Sequence, residues 1–380
     1  MNGFGYIKDG KINMKSYIMF NLFKKTYELP FKYDIPHYTK QYLDNTPFLK
    51  RFLKFSRRYL YILINGQTSL ESLTINEKHK NILWINLSAP SLGDSLMDLA
   101  SRVLLKNKSV DLYTDKKNAH IYLNDQVFNS IIVDENLIDG NKYDLVIIDS
   151  YSTRSLKIKI KNLKDTQFVG MYGYYNGPEV NRVLYSFHQM NHLLNYKISE
   201  NEINENSKAQ MDISRSDEEL ITKVSLPENY LAITLGGEWD YRTFNNWDKV
   251  IEEILLINSN TNIVFIGSSN AKDIAIALLE KFKNENIINC VDKYSFSQTA
   301  QIIKNADVLL TCDGGLMHAA NGVGTTIIPL FAHLTPEMQL SKAINSFPLF
   351  DKNNVNNINY TDIIKNYKMY LKTEVNETSS

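Results

Sequence analysis

The chain of 380 residues is 43% hydrophobic and 22% charged, with 42 Lys/Arg balancing 42 Asp/Glu for a formal net charge of zero. The composition is ordinary for a globular protein, and the length exceeds what one core usually fills, so two domains are expected. The charge balance excludes an overall basic protein built to bind nucleic acid, and no run reaches the roughly 20 apolar residues a spanning helix needs.

Residues 1–10 carry no basic segment followed by an apolar core, so no secretory signal is expected. The two isolated cysteines, Cys290 and Cys312, make neither a disulfide framework nor a zinc site, which fits a reducing compartment. The expected location is the cytoplasm, including the cytoplasmic face of a membrane.

The balance hides an asymmetry. Residues 1–65 hold twelve Lys/Arg against four acids, a net +8. Residues 1–80 form a basic, aromatic extension. Within it, residues 47–64 place apolar side chains at 48, 49, 52, 53, 55 and 59–64, interleaved with Lys50, Arg51, Lys54, Arg57 and Arg58. A basic amphipathic helix of this type can rest on anionic lipid at the inner membrane. The alternative is a helix packed on the first lobe with its charges in water. The preceding aromatics (Tyr27, Phe31, Tyr33, Tyr38 and Tyr42) either cover a core or line an acceptor site.

From residue 81 strands alternate with helices. Apolar runs at 82–87, 110–114, 130–133, 143–149 and 167–170 read as buried strands, and 94–106 and 118–124 read as helices. Residues 199–229, rich in Asn, Glu, Ser and Lys, read as a linker. The order then restarts, with strands at 230–234, 262–266, 287–291 and 307–311 and helices at 246–256, 271–283 and 297–305. This is an α/β pattern of two doubly wound parallel-sheet lobes, 81–198 and 230–380, facing a cleft. Ligands in such sheets lie at the carboxyl ends of the strands.

Three segments at those ends carry chemistry. Gly93-Asp94 follows the first strand, where a carboxylate can take a proton from an attacking hydroxyl; the alternative is that Asp94 only caps the next helix. Gly236-Gly-Glu-Trp-Asp-Tyr-Arg242 follows the first strand of the second lobe, a plausible pyrophosphate cradle in which Arg242 supplies a charge-assisted contact. Its alternative is a surface arginine beside a core Trp247. Asp313-Gly-Gly-Leu-Met-His318 is a strand-to-helix turn. The amides of Gly314, Gly315 and Leu316 would point from a helix N-terminus toward an anion, with Asp313 and His318 flanking. The alternative is a tight turn capped by Asp313 with a satisfied histidine.

Together these segments resemble glycosyltransferase family 9, the ADP-heptose:lipopolysaccharide heptosyltransferases. That family carries a Ser-containing loop with Gly-Asp, then Gly, a basic residue and a helix-opening Trp, then Asp-Thr-Gly-Leu-Met-His with Ala-Ala and a strand ending Leu-Phe-Gly-Pro-Thr. The resemblance covers roughly residues 81–337. It implies a GT-B fold and inverting, metal-independent transfer from a nucleotide-diphosphate sugar, ADP-heptose first, to a lipopolysaccharide core or related glycan or glycolipid. It assigns Asp94 as general base, Arg242 to the position of a donor-binding Lys, and Gly93, Gly236, Asp313, Gly314, Gly315, Leu316 and His318 to donor binding, with no cofactor. The chain departs from the pattern in a longer loop before Gly93, Asn86 for a frequent Arg, Gly314 for Thr, and Ala332-His333-Leu334 where the family has Gly-Pro. Two further expectations stay open: a protein O-glycosyltransferase on the same scaffold, with the N-terminal extension docking a polypeptide, and a catalytically silent sugar-nucleotide-binding subunit, which the altered phosphate loop motivates.

Overall fold

The computed structural model describes residues 7–8, 11–12, 47–175 and 180–378. The aromatic residues at 27–42 fall outside the described residues. Strands β1 (Ile7–Lys8) and β2 (Lys11–Ile12) pair antiparallel. Helix α1 (Phe48–Ile64) follows. Phe55 and Ile62 on its inner face are buried in the first lobe's core. Two of its arginines also bond to the first lobe: Arg58 donates to the carbonyls of Tyr174 (3.1 Å) and Tyr175 (3.0 Å), and Arg57 to Thr153 Oγ1 (3.3 Å). The helix therefore packs on the first lobe. No helix among the described residues is long and apolar enough to cross a membrane.

The first lobe is a parallel five-stranded sheet built from β3 (Asn81–Asn86), β4 (Ser109–Thr114), β5 (Phe128–Ile132), β6 (Leu145–Ser150) and β7 (Gln167–Gly173), in the order β5-β4-β3-β6-β7. Central strands read as continuous apolar runs because both faces are covered: five of the six residues of β3 and all of β6 are buried. The chain reverses its direction of winding between β3 and β6, so their carboxyl ends open a crevice.

The expected single helix over 94–106 is two pieces, α2 (Leu92–Asp98) and a 3-10 segment (Ala100–Leu105). Ser91 caps the start. The break has a side-chain cause. Ser186 Oγ takes the Asp98 carbonyl (2.8 Å), which a continuing α-helix would offer to the Arg102 amide; that amide bonds Leu99 O instead (3.1 Å). The buried Arg102 guanidinium holds the tighter turn through Leu99 O, Asp125 and Gln210 O. Short helix α3 (Lys116–Ala119), α4 (Thr153–Asn162) and α5 (Arg182–Leu193) complete the lobe.

Residues 199–229, expected as a linker, form two serine-capped helices, α6 (Glu200–Asn206) and α7 (Arg215–Thr222). Ile203, Ala209 and Met211 pack on the first lobe and Ile221 on the second. The polar composition reflects one-sided burial rather than looseness.

The second lobe repeats the winding with six parallel strands: β8 (Leu231–Thr234), β9 (Ile263–Ile266), β10 (Ile287–Asn289), β11 (Val308–Cys312), β12 (Ile327–Ala332) and β13 (Leu349–Asp351), ordered β10-β9-β8-β11-β12-β13. Its helices are α8 (Trp247–Ile257), α9 (Lys272–Phe282), α10 (Phe296–Lys304), α11 (Gly315–Val323), α12 (Pro336–Gln339) and α13 (Tyr360–Thr378). Trp247 is buried in this core. The reversal lies between β8 and β11. Helix α11 packs against α2 across the cleft, and Asn181 Nδ2 donates to Glu337 O (3.0 Å) and Leu340 O (2.8 Å). The two reversal points thus face each other.

Candidate active site

On the first lobe, the loop after β3 is held by Asp149 at the end of β6. Its carboxylate accepts from the amides of Leu87 (2.7 Å), Ser88 (2.6 Å) and Ser150 (2.6 Å). Burial pushes the Asp149 carboxyl up, and those amides oppose the shift. The loop delivers Ser91, whose hydroxyl caps α2 by accepting from the Asp94 amide (3.2 Å) and donates to Asp94 Oδ2 (2.6 Å). Ser91 is the cap, so the Asp94 carboxylate does not cap the helix and is instead held by the Ser91 hydroxyl.

A second carboxylate lies one helical turn on. Asp98 is buried and takes the Arg182 guanidinium at 3.0 Å on each oxygen and the Tyr172 hydroxyl at 2.8 Å. Arg182 also reaches within 3.6 Å of Asp94 Oδ1. Burial pushes the Asp98 carboxyl up to about 6, against the pull of Arg182 and Tyr172. Asp98 was legible in principle, four residues from Asp94 and so on the same helix face. Arg182, Tyr172 and Ser186 carry no local signal; only the fold brings them there.

On the second lobe, a cleft of ≈ 330 Å³ lies at the carboxyl ends of β8 and β11, lined by Gly236, Arg242, Asp313, Gly314, Gly315 and Leu316 among others. This is the reversal point, where open α/β sheets bind ligands. Gly236 turns at φ +77°, a left-handed conformation that keeps the chain close to Ala271. Helix α11 begins at Gly315 with Gly314 as its cap residue and no side chain bonded to its first amides. Asp313 therefore does not cap it, and the N-terminus is open toward the cleft.

Arg242 Nη1 stands 3.2 Å from Asp313 Oδ2, but the pair is not aligned as a hydrogen bond, and Arg242 Nε and Asp313 Oδ2 remain unbonded. His318 is buried, with Nε2 at 3.9 Å from Asp313 Oδ1 and Nδ1 without a partner. Burial lowers the His318 pKa; Asp313 and Asp94 oppose this, and Arg242 and Arg182 add to it. An imidazole so placed is neutral near pH 7. Asp94 and Arg182 from one lobe and Asp313 and Arg242 from the other thus act on one ring. Gly93 and His318 do not line the cleft; they meet each other at the contact between lobes. Gly236, Arg242, Asp313, Gly314, Gly315 and Leu316 do line it, and Asp94, next to Gly93, lies on the first-lobe side of the lobe contact.

The family model described as glycosyltransferase family 9 (heptosyltransferase) matches residues 174–368. No curated protein matches this sequence. Among solved structures, the glycosyl transferase family 9 protein from Veillonella parvula DSM 2008 superposes with TM-score 0.66 at 13% identity, over 80% of this chain and 100% of that one. E. coli ADP-heptose lps heptosyltransferase II gives 0.61 at 14%, over 77% and 99%. E. coli heptosyltransferase WaaC with ADP gives 0.57 at 15%, over 77% and 98%. At such identities the likeness concerns the fold, which is GT-B in this chain, and it extends to first-lobe strands lying before the matched segment.

Proposed function

The chain belongs to glycosyltransferase family 9, and from that we propose that it transfers heptose from ADP-heptose to a hydroxyl of a lipopolysaccharide core or related glycan. The observation that carries this reading is the meeting of the lobes at Gly93 and His318, which sets Asp94, the residue after Gly93, on the first-lobe side of the lobe contact and the cleft lined by Arg242, Asp313 and the open α11 amides on the second-lobe side. The acceptor oxygen attacks the anomeric carbon as its bond to the diphosphate breaks. Asp94 takes the hydroxyl proton, and the nucleoside diphosphate leaves with the electron pair. Attack opposite the leaving group inverts the anomeric carbon.

Arg242 and the amides of Gly314, Gly315 and Leu316 stabilise the negative charge that develops on the diphosphate. In this scheme no metal ion is required, because fixed donors supply the positive potential. Gly236 leaves room for the pyrophosphate, and Asp313 orients Arg242. His318 fills the space between lobes as a neutral ring.

A peripheral position on the cytoplasmic membrane face goes with this reading. Leu49, Leu53, Leu60 and Ile64, spaced four and seven residues apart, stand exposed along the outer face of α1, and the helix holds no acidic residue. Anionic lipid suits such a face, which would bring the enzyme to a lipid-linked acceptor.

A thermal-shift panel of ADP, GDP, UDP and CMP, followed by turnover with the matching sugar nucleotide, tests the function. Stabilisation by ADP and transfer that depends on Asp94 support it. Binding with neither transfer nor donor hydrolysis would instead make the chain a silent sugar-nucleotide-binding subunit, and transfer to polypeptide alone would redirect the acceptor assignment.

A further inference from the structure

One aromatic cluster beside the cleft takes no part in that scheme. Trp239 stacks on Tyr241 (centroids 6.5 Å apart, planes at 17°), and Tyr241 stacks on His333 (4.1 Å, 18°). The Arg242 guanidinium lies 5.4 Å from the Tyr241 centroid, so the ladder abuts the arginine that lines the cleft. The cleft runs from the β9 end at Gly267 and Asn270 past the α11 amides to Arg242. The ladder continues from Arg242 toward the end of β12, on the side away from β9.

The ladder is built rather than incidental. His333 sits at φ +67°, a conformation that residues other than glycine rarely adopt. Its Nε2 is fixed on the Asn353 carbonyl at 3.0 Å. It occupies the stretch where the family pattern has Gly-Pro, so a departure from that pattern supplies the inner ring of the stack. The outer ring is open: Trp239 is 53% exposed. An isolated surface tryptophan needs no explanation, but a preformed stack with one free face, next to a diphosphate-binding arginine, presents a flat apolar platform at fixed height.

We propose that Trp239 is the open end of a sugar-binding platform that stacks against the apolar C–H face of a pyranose ring beside the diphosphate site. The inference rests on the transferase reading above and adds the residue that holds the sugar. The pyranose belongs either to the donor or to the acceptor, and the two sources are separable.

The chain has three tryptophans, and Trp84 (0% exposed) and Trp247 (2%) are buried, so acrylamide quenching of fluorescence reports Trp239. The experiment uses the full chain with whichever of ADP, GDP or UDP it binds, the corresponding sugar nucleotides, and a core oligosaccharide added with the diphosphate. Protection of Trp239 by a sugar nucleotide but not by its parent diphosphate, with Trp239→Ala weakening only the sugar nucleotide by about tenfold and Trp239→Phe restoring most of it, supports a donor platform. Protection by the oligosaccharide, with a raised acceptor KM in Trp239→Ala, supports an acceptor platform. Protection by the diphosphate alone assigns the ring to the base and overturns the proposal. So does equal quenching when a sugar nucleotide and oligosaccharide are both bound. If no nucleoside diphosphate binds at all, the transferase reading itself fails and the platform falls with it.

Discussion

His318 stands against Gly93 so closely that a Cβ on Gly93 would lie 2.5 Å from His318 Cδ2. One residue precedes the candidate base and the other lies in the first turn of α11 after Asp313-Gly-Gly, so this contact sets how near the lobes approach. Because His318 is a buried ring and not the far end of a flexible chain, it has little room to yield. Gly93→Ala should cost about 1–3 kcal/mol as an overpacked contact and lower kcat more than it raises donor KM. Melting temperature and steady-state kinetics check this; unaltered kcat would mean that the lobes need not meet here during turnover.

Asp94→Asn should leave the fold and donor affinity nearly intact while lowering turnover by roughly two to four powers of ten, the worth of a general base. Calorimetric donor binding alongside single-turnover rates separates the two. Unchanged rates would remove Asp94 from the chemistry.

Arg242→Ala should weaken nucleoside diphosphate binding by about 1.5–3 kcal/mol and nucleoside binding much less, since its partner is phosphate. Titration of ADP against adenosine gives the comparison. Equal losses would reduce Arg242 to a support for Asp313.

Asp98 makes a pH prediction. Its carboxyl is raised from 3.8 to about 6 in the folded protein, chiefly by burial, so between those values the folded state binds the extra proton. Its stabilising contribution is complete below about pH 4, is lost as pH rises to about 6 and is flat above. Urea unfolding of wild type and Asp98→Asn from pH 4 to 7 should show the stability difference changing across that window, by at most on the order of 3 kcal/mol. A difference constant with pH would show that Arg182 and Tyr172 balance desolvation, and one that grows as pH rises would show that they outweigh it.

Removal of residues 1–65 takes Phe55 and Ile62 out of the first lobe's core, and the truncated protein should melt at markedly lower temperature or aggregate. The outer face of α1 is tested separately. Intact protein should co-sediment with anionic vesicles at low salt and release as salt rises, and Leu53→Ser with Leu60→Ser should weaken that binding without lowering the melting temperature. Absence of binding at low salt would rule out the membrane position.

The alternation of buried apolar runs with helical spacing made the two α/β lobes legible from sequence, because a parallel sheet covered on both faces keeps polar residues out of the middle of its strands: β3 and β6 announce themselves by apolar runs with polar residues only at their ends. The strand-to-helix turn at Asp313 was legible for a similar reason. Asp313-Gly-Gly at the end of such a run leaves few backbone alternatives. Tertiary structure alone decided the rest. The α-helical part of residues 94–106 ends at Asp98 because Ser186 takes a carbonyl there, and Arg182 meets Asp98 across 84 residues of chain. Whether the Asp94 carboxylate capped the helix or pointed elsewhere depended on Ser91 filling the cap position. Periodicity reports which face of an element is buried. It does not report which distant side chain will claim a given carbonyl or carboxylate, because those partnerships form only when the lobes and their helices are packed.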